Sequence, residues 1–305
     1  MESTGDTSKL EIFNGHRPRL FGLAYRMLGT RDDAEDILQE AYIRWHNADT
    51  GRIETPEAWL VTAVTRLSID RLRKASVQRE TYIGPWLPEP LFASPDSSPE
   101  QHAEFASDLS LAFMVMLERL SPTERAVFLL HDIFDCAYAE IARIIGKTEV
   151  AARQIVSRAR TRVRSDRPRF ETNAAERSAL LKKFVTASYA GDEQTLLSIF
   201  AEDVALTSDG GGVVNAARRT VYGSKRLARL HTLPVSKHRD RLRAFLIAMN
   251  GETCVVEFAD GEPFAATSFE ITEGKITAMY RVMNPEKLQG LAALDKEYFA
   301  EVSQT

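Results

Sequence analysis

Cysteine is scarce in this chain. Cys136 and Cys254 are the only two, far apart and in no CxxC spacing, which removes a disulfide framework and argues against structural zinc. No run approaches the roughly 18 apolar residues of a membrane span. The N-terminus, MESTGDTSKLEIF, is polar and has no apolar signal-peptide core. The sequence therefore predicts a cytoplasmic protein with no membrane partner. Neither sign of charge dominates, since 39 Lys and Arg face 43 Asp and Glu for a net charge of −4. A uniformly basic nucleic-acid binder is excluded, and the distribution of charge becomes the question.

That distribution is uneven. Arg143 to Arg169 holds nine basic residues and two acidic ones, and Arg66 to Arg79 holds five basic residues against Asp70. Arg31 to Glu40 (RDDAEDILQE) carries five carboxylates and one arginine. Two basic patches and one acidic face predict one polyanionic partner and one of another kind. With 305 residues, the chain is long enough for two or three domains of roughly 100 residues each.

The first eighty residues read as helix. Leu20, Leu23, Ala24, Met27 and Leu28 share one face of Arg17–Leu28 at helical spacing. Gly29 stops that helix and Thr30 caps the next, whose inner stripe is Ala34, Ile37, Leu38, Ala41, Tyr42 and Trp45. Thr55-Pro56 opens a third helix, apolar first and basic later. Five prolines between Gln78 and Gln101 then break the pattern, so this stretch reads as a linker, although Tyr82, Ile83, Trp86, Leu87, Leu91 and Phe92 make it unusually apolar.

A second helical module follows. Ser121-Pro122-Thr123-Glu124 is a capping box with proline at the first helical position. In YAEIARIIGKTEVAARQIVSRARTRVR, a short helix ends at Gly146 and Thr148 caps another, the pattern of a helix-turn-helix. Its second helix carries Arg153, Gln154, Ser157, Arg158, Arg160 and Arg162, residue types that contact phosphates and base edges in a major groove. The run Arg153–Arg164 contains no carboxylate for i,i+4 pairing, which favours DNA over a solvated face. After Pro168 a helix pair spans Leu180 to Ile199. Alternating segments then meet at Asn250-Gly251, Asp260-Gly261 and Glu273-Gly274, which predicts an antiparallel meander in an α+β domain.

In this order the modules resemble the extracytoplasmic-function sigma factors of bacterial RNA polymerase. The linker motif Trp86-Leu87-Pro88-Glu89-Pro90, with Asp209-Gly210-Gly211-Gly212 and Asn284-Pro285-Glu286-Lys287-Leu288, is similar to those of the subgroup with a SnoaL-like (NTF2-like) extension. The resemblance implies a multidomain fold. Sigma region 2, a helical bundle, takes 10–79; a Pro-rich inter-domain linker takes 80–104; sigma region 4, a helix-turn-helix, takes 105–168. A SnoaL-like cone with a curved antiparallel sheet takes 175–292.

It also implies roles. Asp33, Glu35, Asp36, Gln39 and Glu40 would grip the clamp helices of the polymerase β′ subunit, and region 4 would meet the β flap. Trp59, Arg66, Asp70, Arg73 and Lys74 would melt and read the −10 element. Thr148, Arg153, Gln154, Ser157, Arg158 and Arg160 would read the −35 element. Trp86, Leu87, Pro88, Asp209, Gly210, Gly211, Gly212, Asn284 and Pro285 would couple the C-terminal domain to the sigma modules, the linker packing near Asp209–Gly212 and Asn284–Leu288. The family's lysine after the glycines is Val213 here, its usual region 2 asparagine is Arg66, and Glu286 replaces an aspartate.

Simpler readings stand beside these. Charged helix faces are ordinarily solvated, and Trp86 would fill whatever groove lies nearest. The glycines permit a tight turn or a close backbone approach, with no GKS/T continuation to suggest a phosphate loop. Asp209, His231, His238 and Glu257 are conceivable acid–base groups in a cavity with room for a small ligand. Even so, the expectation is a promoter-recognition factor regulated in cis by its C-terminal domain, with no catalytic residues, metal or cofactor. The alternatives are a ligand-sensing helix-turn-helix regulator and an NTF2-like enzyme with a DNA-binding arm.

Overall fold

In a computed structural model, described for residues 3–92, 109–164, 173–238, 241–292 and 302, the chain divides into two compact units. One is Met1–Glu80 with Met114–Asp166; the other is Thr81–Phe113 with Arg167–Thr305.

The first unit begins with α1 (Ser3–Leu28), α2 (Arg31–His46) and α3 (Pro56–Arg79), with a 3-10 turn at Thr50–Arg52 between the last two. Helix α1 starts well before the expected Arg17 and runs through Pro18, whose missing N–H removes one ladder bond. Gly29 ends it at φ 81°, and the Thr30 hydroxyl accepts from Asp33 N to start α2. The apolar stripes meet as their spacing requires. Leu20, Leu23, Ala24, Met27 and Leu28 of α1, Ile37, Leu38 and Trp45 of α2, and Leu60 and Val64 of α3 are all buried. Each large side chain so buried contributes about 1.5–3 kcal/mol.

Helices α4 (Leu111–Leu117), α5 (Pro122–Asp132), α6 (Tyr138–Ile145) and α7 (Glu149–Arg164) follow. The Ser121–Glu124 capping box forms in full at the start of α5. Gly146, left-handed at φ 64°, closes α6 and makes the turn into α7. Ile141, Ala142 and Ile144 pack with Ala152, Ile155, Val156, Ala159 and Val163, so the last three helices share a core.

The second unit opens, after the linker, with α8 (Ala174–Ala190) and α9 (Glu193–Ile199), then β1 (Phe200–Asp209), β2 (Val221–Tyr222) and α10 (Ser224–His238). Strands β3 (Leu242–Met249), β4 (Glu252–Ala259), β5 (Glu262–Thr272) and β6 (Lys275–Val282) complete one sheet ordered β2-β1-β6-β5-β4-β3. The three expected hairpins form, with positive φ at Asn250 and Gly251, at Asp260 and Gly261, and at Glu273 and Gly274, the geometry of two-residue type I′ turns. They make the expected antiparallel meander of β3 to β6, within a sheet that is mixed. Strands β1 and β6 pair in parallel, because the crossover through α10 sets β3 at the far edge and three hairpins bring β6 back running with β1. Register shifts in β4 and β5 bend the open sheet. Phe200, Val255, Phe269 and Met279 of the sheet share one buried core with Phe184 of α8.

Candidate nucleic-acid interface and linker site

Helix α7 buries Ala152, Ile155, Val156, Ala159 and Val163 and leaves Arg153, Gln154, Ser157 and Arg158 exposed. Thr148 caps the helix, its hydroxyl accepting from Ala151 N at 3.2 Å. The basic run is less free than its lack of internal carboxylates suggests. Arg160 pairs with Asp132 at 2.7 Å and Arg162 with Glu124 at 2.8 Å, both acids lying on α5. Arg153 pairs with Glu149, just before the run, at 2.8 Å and lies 4.8 Å from the Tyr138 ring centroid. Burial opposes charge on Glu124, but the Ser121 hydroxyl and amide and Arg162 hold its pKa below the ordinary carboxylate value. Arg158 is exposed and has no ion pair among the described residues. Arg158→Ala is therefore expected to weaken binding to duplex DNA by about 1–3 kcal/mol if it holds a base edge bidentately, and more than Arg153→Ala. Titration of wild-type and variant chains against DNA duplexes of different sequence at two salt concentrations checks this. A loss equal on all sequences, with a flatter salt dependence, would assign Arg158 to phosphate.

On α2, the acidic face is exposed but already paired within the unit. Glu35 meets Arg17 at 2.5 Å, Asp36 meets Arg71 at 2.7 Å and Glu40 meets Arg44 at 2.7 Å. Asp33 holds the Thr30 cap and lies 3.3 Å from Arg71, while Gln39 is exposed. Surface pairs of this kind are each worth about 0–1 kcal/mol, so a partner exchanges for them cheaply. On α3, Asp70, Arg73 and Lys74 are exposed, whereas Trp59 is half-buried with its ring 5.4 Å from that of Trp45. Arg66 reaches the helix-turn-helix, donating to the carbonyls of Ile144 and Arg143 at 2.9 Å each, where α6 ends. Two more arginines join the helical modules. Arg125, 1% exposed, donates to the Arg26 carbonyl at 2.7 Å and to Glu118 at 2.5 Å. Arg79 donates to the Leu28 carbonyl at 2.6 Å and pairs with Glu118.

In the second unit, the linker is docked on the other two motif segments, Asp209–Gly212 and Asn284–Leu288. Asp209, fully buried at the end of β1, accepts from the Tyr82 hydroxyl at 2.6 Å and from Gly211 N at 3.0 Å through one oxygen. Its other oxygen accepts from Leu87 N at 2.9 Å and from Lys287 Nζ at 2.7 Å. Lys287 also donates to the Leu87 carbonyl at 2.5 Å and lies 4.2 Å from the Trp86 ring centroid. Asn284 donates to the Tyr82 oxygen at 3.1 Å. Burial and the hydrogen bond to Asp209 push the Tyr82 phenol up, so it stays protonated and donates. Leu87, Pro88 and Pro90 are buried beside half-buried Trp86. Further along, Leu91 exchanges two hydrogen bonds with Asn250 and Phe92 forms a bridge with Met249.

The glycines of the motif answer to close approach. A Cβ on Gly211 (φ +63°) would lie 2.6 Å from the Asn284 side chain, and one on Gly212 (φ +73°) would lie 2.9 Å from Ile83. Pro285 opens a 3-10 turn that Asn284 caps. The cation that neutralises Asp209 is Lys287; Val213, at the family's lysine position, is 70% exposed. Sequence reasoning passed over Lys287, Tyr82 and Asn250. Lys287 sits inside a recognised motif, but nothing local marks it as the partner of a residue 78 positions away.

Of the conceivable acid–base groups, Glu257 and His231 share Arg281 as a neighbour. Asp209 belongs to the linker site, and Glu257 pairs with Arg281. His231 is buried, and burial, then nearby Arg281, pushes its pKa down to about 3, leaving the imidazole neutral. The His238 side chain lies outside the described residues. No group of three or more metal-ligating side chains occurs among the described residues, and no described helix is long and apolar enough to cross a membrane.

Comparison with known proteins agrees with this layout. Residues 12–77 match the family model for sigma-70 region 2, and residues 110–163 match that for sigma-70 region 4. The ECF RNA polymerase sigma factor SigJ of Mycobacterium tuberculosis is 38% identical over 91% of this chain and 92% of its own. A probable ECF sigma factor of that organism, SigI, is 30% identical over 92% of this chain and 95% of its own. The crystal structure of SigJ superimposes with a TM-score of 0.75 at 36% identity, over 92% of this chain and 98% of that one. That match includes the helix-and-sheet C-terminal region. A basic outward face on a helix-turn-helix, a region 2 bundle and full-length likeness to SigJ together decide the matter: the chain belongs to the extracytoplasmic-function sigma factors of RNA polymerase, which are transcription initiation factors and not enzymes.

Proposed function

We propose that the chain engages core polymerase through the exposed edge of α2, with Asp33, Glu35, Asp36, Gln39 and Glu40 on the β′ clamp helices and region 4 on the β flap. In this reading α3 opens and reads the −10 element through Trp59, Arg66, Asp70, Arg73 and Lys74. Helix α7 lies in the −35 major groove with Thr148, Arg153, Gln154, Ser157, Arg158 and Arg160 toward the DNA. The two elements are about 25 base pairs apart by their positions, about 85 Å at 3.4 Å per base pair. A compact unit of roughly 130 residues has a radius of gyration of about 14 Å. The helical modules packed together in the first unit thus come apart on the promoter. The second unit sets the cost of that opening, because it holds the segment that joins them.

The observation that carries the regulatory reading is the linker's lock on Asp209 and Lys287. A tether of 25 residues lying free would leave the C-terminal domain without a grip on the distance between modules; a tether hydrogen-bonded at Tyr82, Leu87 and Leu91 has lost much of its reach. The test is transcription in vitro with core polymerase, using the full chain and a chain ended near Glu171. The full chain is expected to direct initiation at a specific two-element promoter, and the shortened chain to do so at a changed level. If core with the full chain makes no more specific transcript than core alone, the proposal is wrong. Equal output from both chains would remove the cis-regulatory part.

A further inference from the structure

The outward face of α7 is not wholly polar. Val150, in the first turn of the helix, is 68% exposed. Taking 100° per residue, Val150, Gln154, Ser157 and Thr161 form one stripe opposite the buried Ala152, Ile155, Val156, Ala159 and Val163. Arg153 and Arg158 flank that stripe. An apolar, β-branched residue stands in its first position, where a polar one would be better solvated. No fold requirement places it there, since a side chain so exposed packs against little, and valine is a poorer helix former than alanine or glutamate.

Position supplies the explanation. In helix-turn-helix proteins the N-terminal residues of the recognition helix reach the base edges. The one apolar feature on those edges in the major groove is the C5-methyl group of thymine, which takes an apolar contact. Gln154, one turn further along the same stripe, is a residue type that reads adenine bidentately. We infer that Val150 is a specificity-determining residue that reads a thymine methyl in the −35 element. This rests on the placement of α7 in the −35 groove proposed above. Arg158 and Gln154 would supply polar contacts to neighbouring positions, and the Val150 contact would discriminate thymine from cytosine, whose C5 carries no methyl.

The experiment is a cycle between two methyl-bearing groups, made with holoenzyme assembled from the full chain. A promoter library randomised over the −35 element is selected with wild-type, V150A, V150S and R158A chains. The best wild-type promoter is then synthesised with deoxyuridine in place of thymine, one position at a time, which removes only the C5-methyl. Wild type is expected to lose about fourfold in binding at one position or two adjacent ones, the loss of one buried methyl-sized contact. V150S is expected to show no loss there and V150A a smaller one than wild type, and the V150S library to accept cytosine at that position. Alanine is the better helix former, so V150A cannot act by unfolding α7. If R158A weakens selection but deoxyuridine costs wild type and V150A the same at every position, the Val150 role is wrong while α7 keeps its place. If wild type selects no −35 sequence, the α7 placement falls and the Val150 role with it.

Discussion

Replacing Asp209 with alanine is expected to destabilise the second unit by about 3–5 kcal/mol. The carboxylate is fully buried and its partner Lys287 is 9% exposed by side chain, so removing Asp209 takes this counter-charge from an ammonium that little water can reach. The same change takes the acceptor from the Tyr82 hydroxyl and from the amides of Leu87 and Gly211, each a donor that is costly to leave unsatisfied. Urea unfolding of the full chain measures the loss, and hydrogen exchange at residues 82–92 shows whether the linker has come away. The double change Asp209→Ala with Lys287→Met is expected to recover a large part of the stability, because it removes the charge that was stranded. It should not restore the docked linker, since the acceptor for Tyr82 and Leu87 is still missing. Transcript yield that follows linker exchange rather than stability would tie regulation to docking. A midpoint unchanged in Asp209→Ala would show that the ion pair contributes nothing.

The second large effect is expected at Arg125. Its guanidinium is buried between the Arg26 carbonyl and Glu118, and its stem packs in the same contact. Arg125→Ala should cost the first unit about 3–5 kcal/mol, with Glu118 keeping Arg79 as its remaining partner. Because part of that loss belongs to the fold of region 4, the milder Arg66→Ala separates cohesion from folding. Arg66 is exposed and, among the described residues, holds only the two carbonyls at the end of α6, so its loss should cost about 1 kcal/mol. Energy transfer between dyes at Arg73 and Thr161, both exposed, is expected to fall in Arg66→Ala with the melting midpoint nearly unchanged. Holoenzyme formation should then become easier if the modules must separate. Identical energy transfer in wild type and variant would mean that Arg66 does not hold them together.

Periodicity and turn chemistry are local properties, and they carried far in this protein. The stripe Leu20–Leu28, the Ser121–Glu124 capping box, the Gly146 turn and the three type I′ hairpins are each specified within a dozen residues. The helical modules and the exposure of Arg153, Gln154, Ser157 and Arg158 follow from those spacings, because a helix that buries one stripe must present the other.

Only the tertiary structure decided which distant groups meet. The parallel pairing of β1 with β6 depends on where α10 delivers the chain, which no strand encodes by itself. The carboxylates facing Arg160 and Arg162 come from another helix, so a search within the basic run was bound to miss them. The linker's tryptophan, leucine and prolines announced that something would cover them, and the motif glycines announced a close approach. The lock itself is an aspartate at 209, a lysine at 287 and a tyrosine at 82. A charge pair forms in the interior only when folding removes water from both partners at once, and such a coincidence of burial is set by the packed chain as a whole.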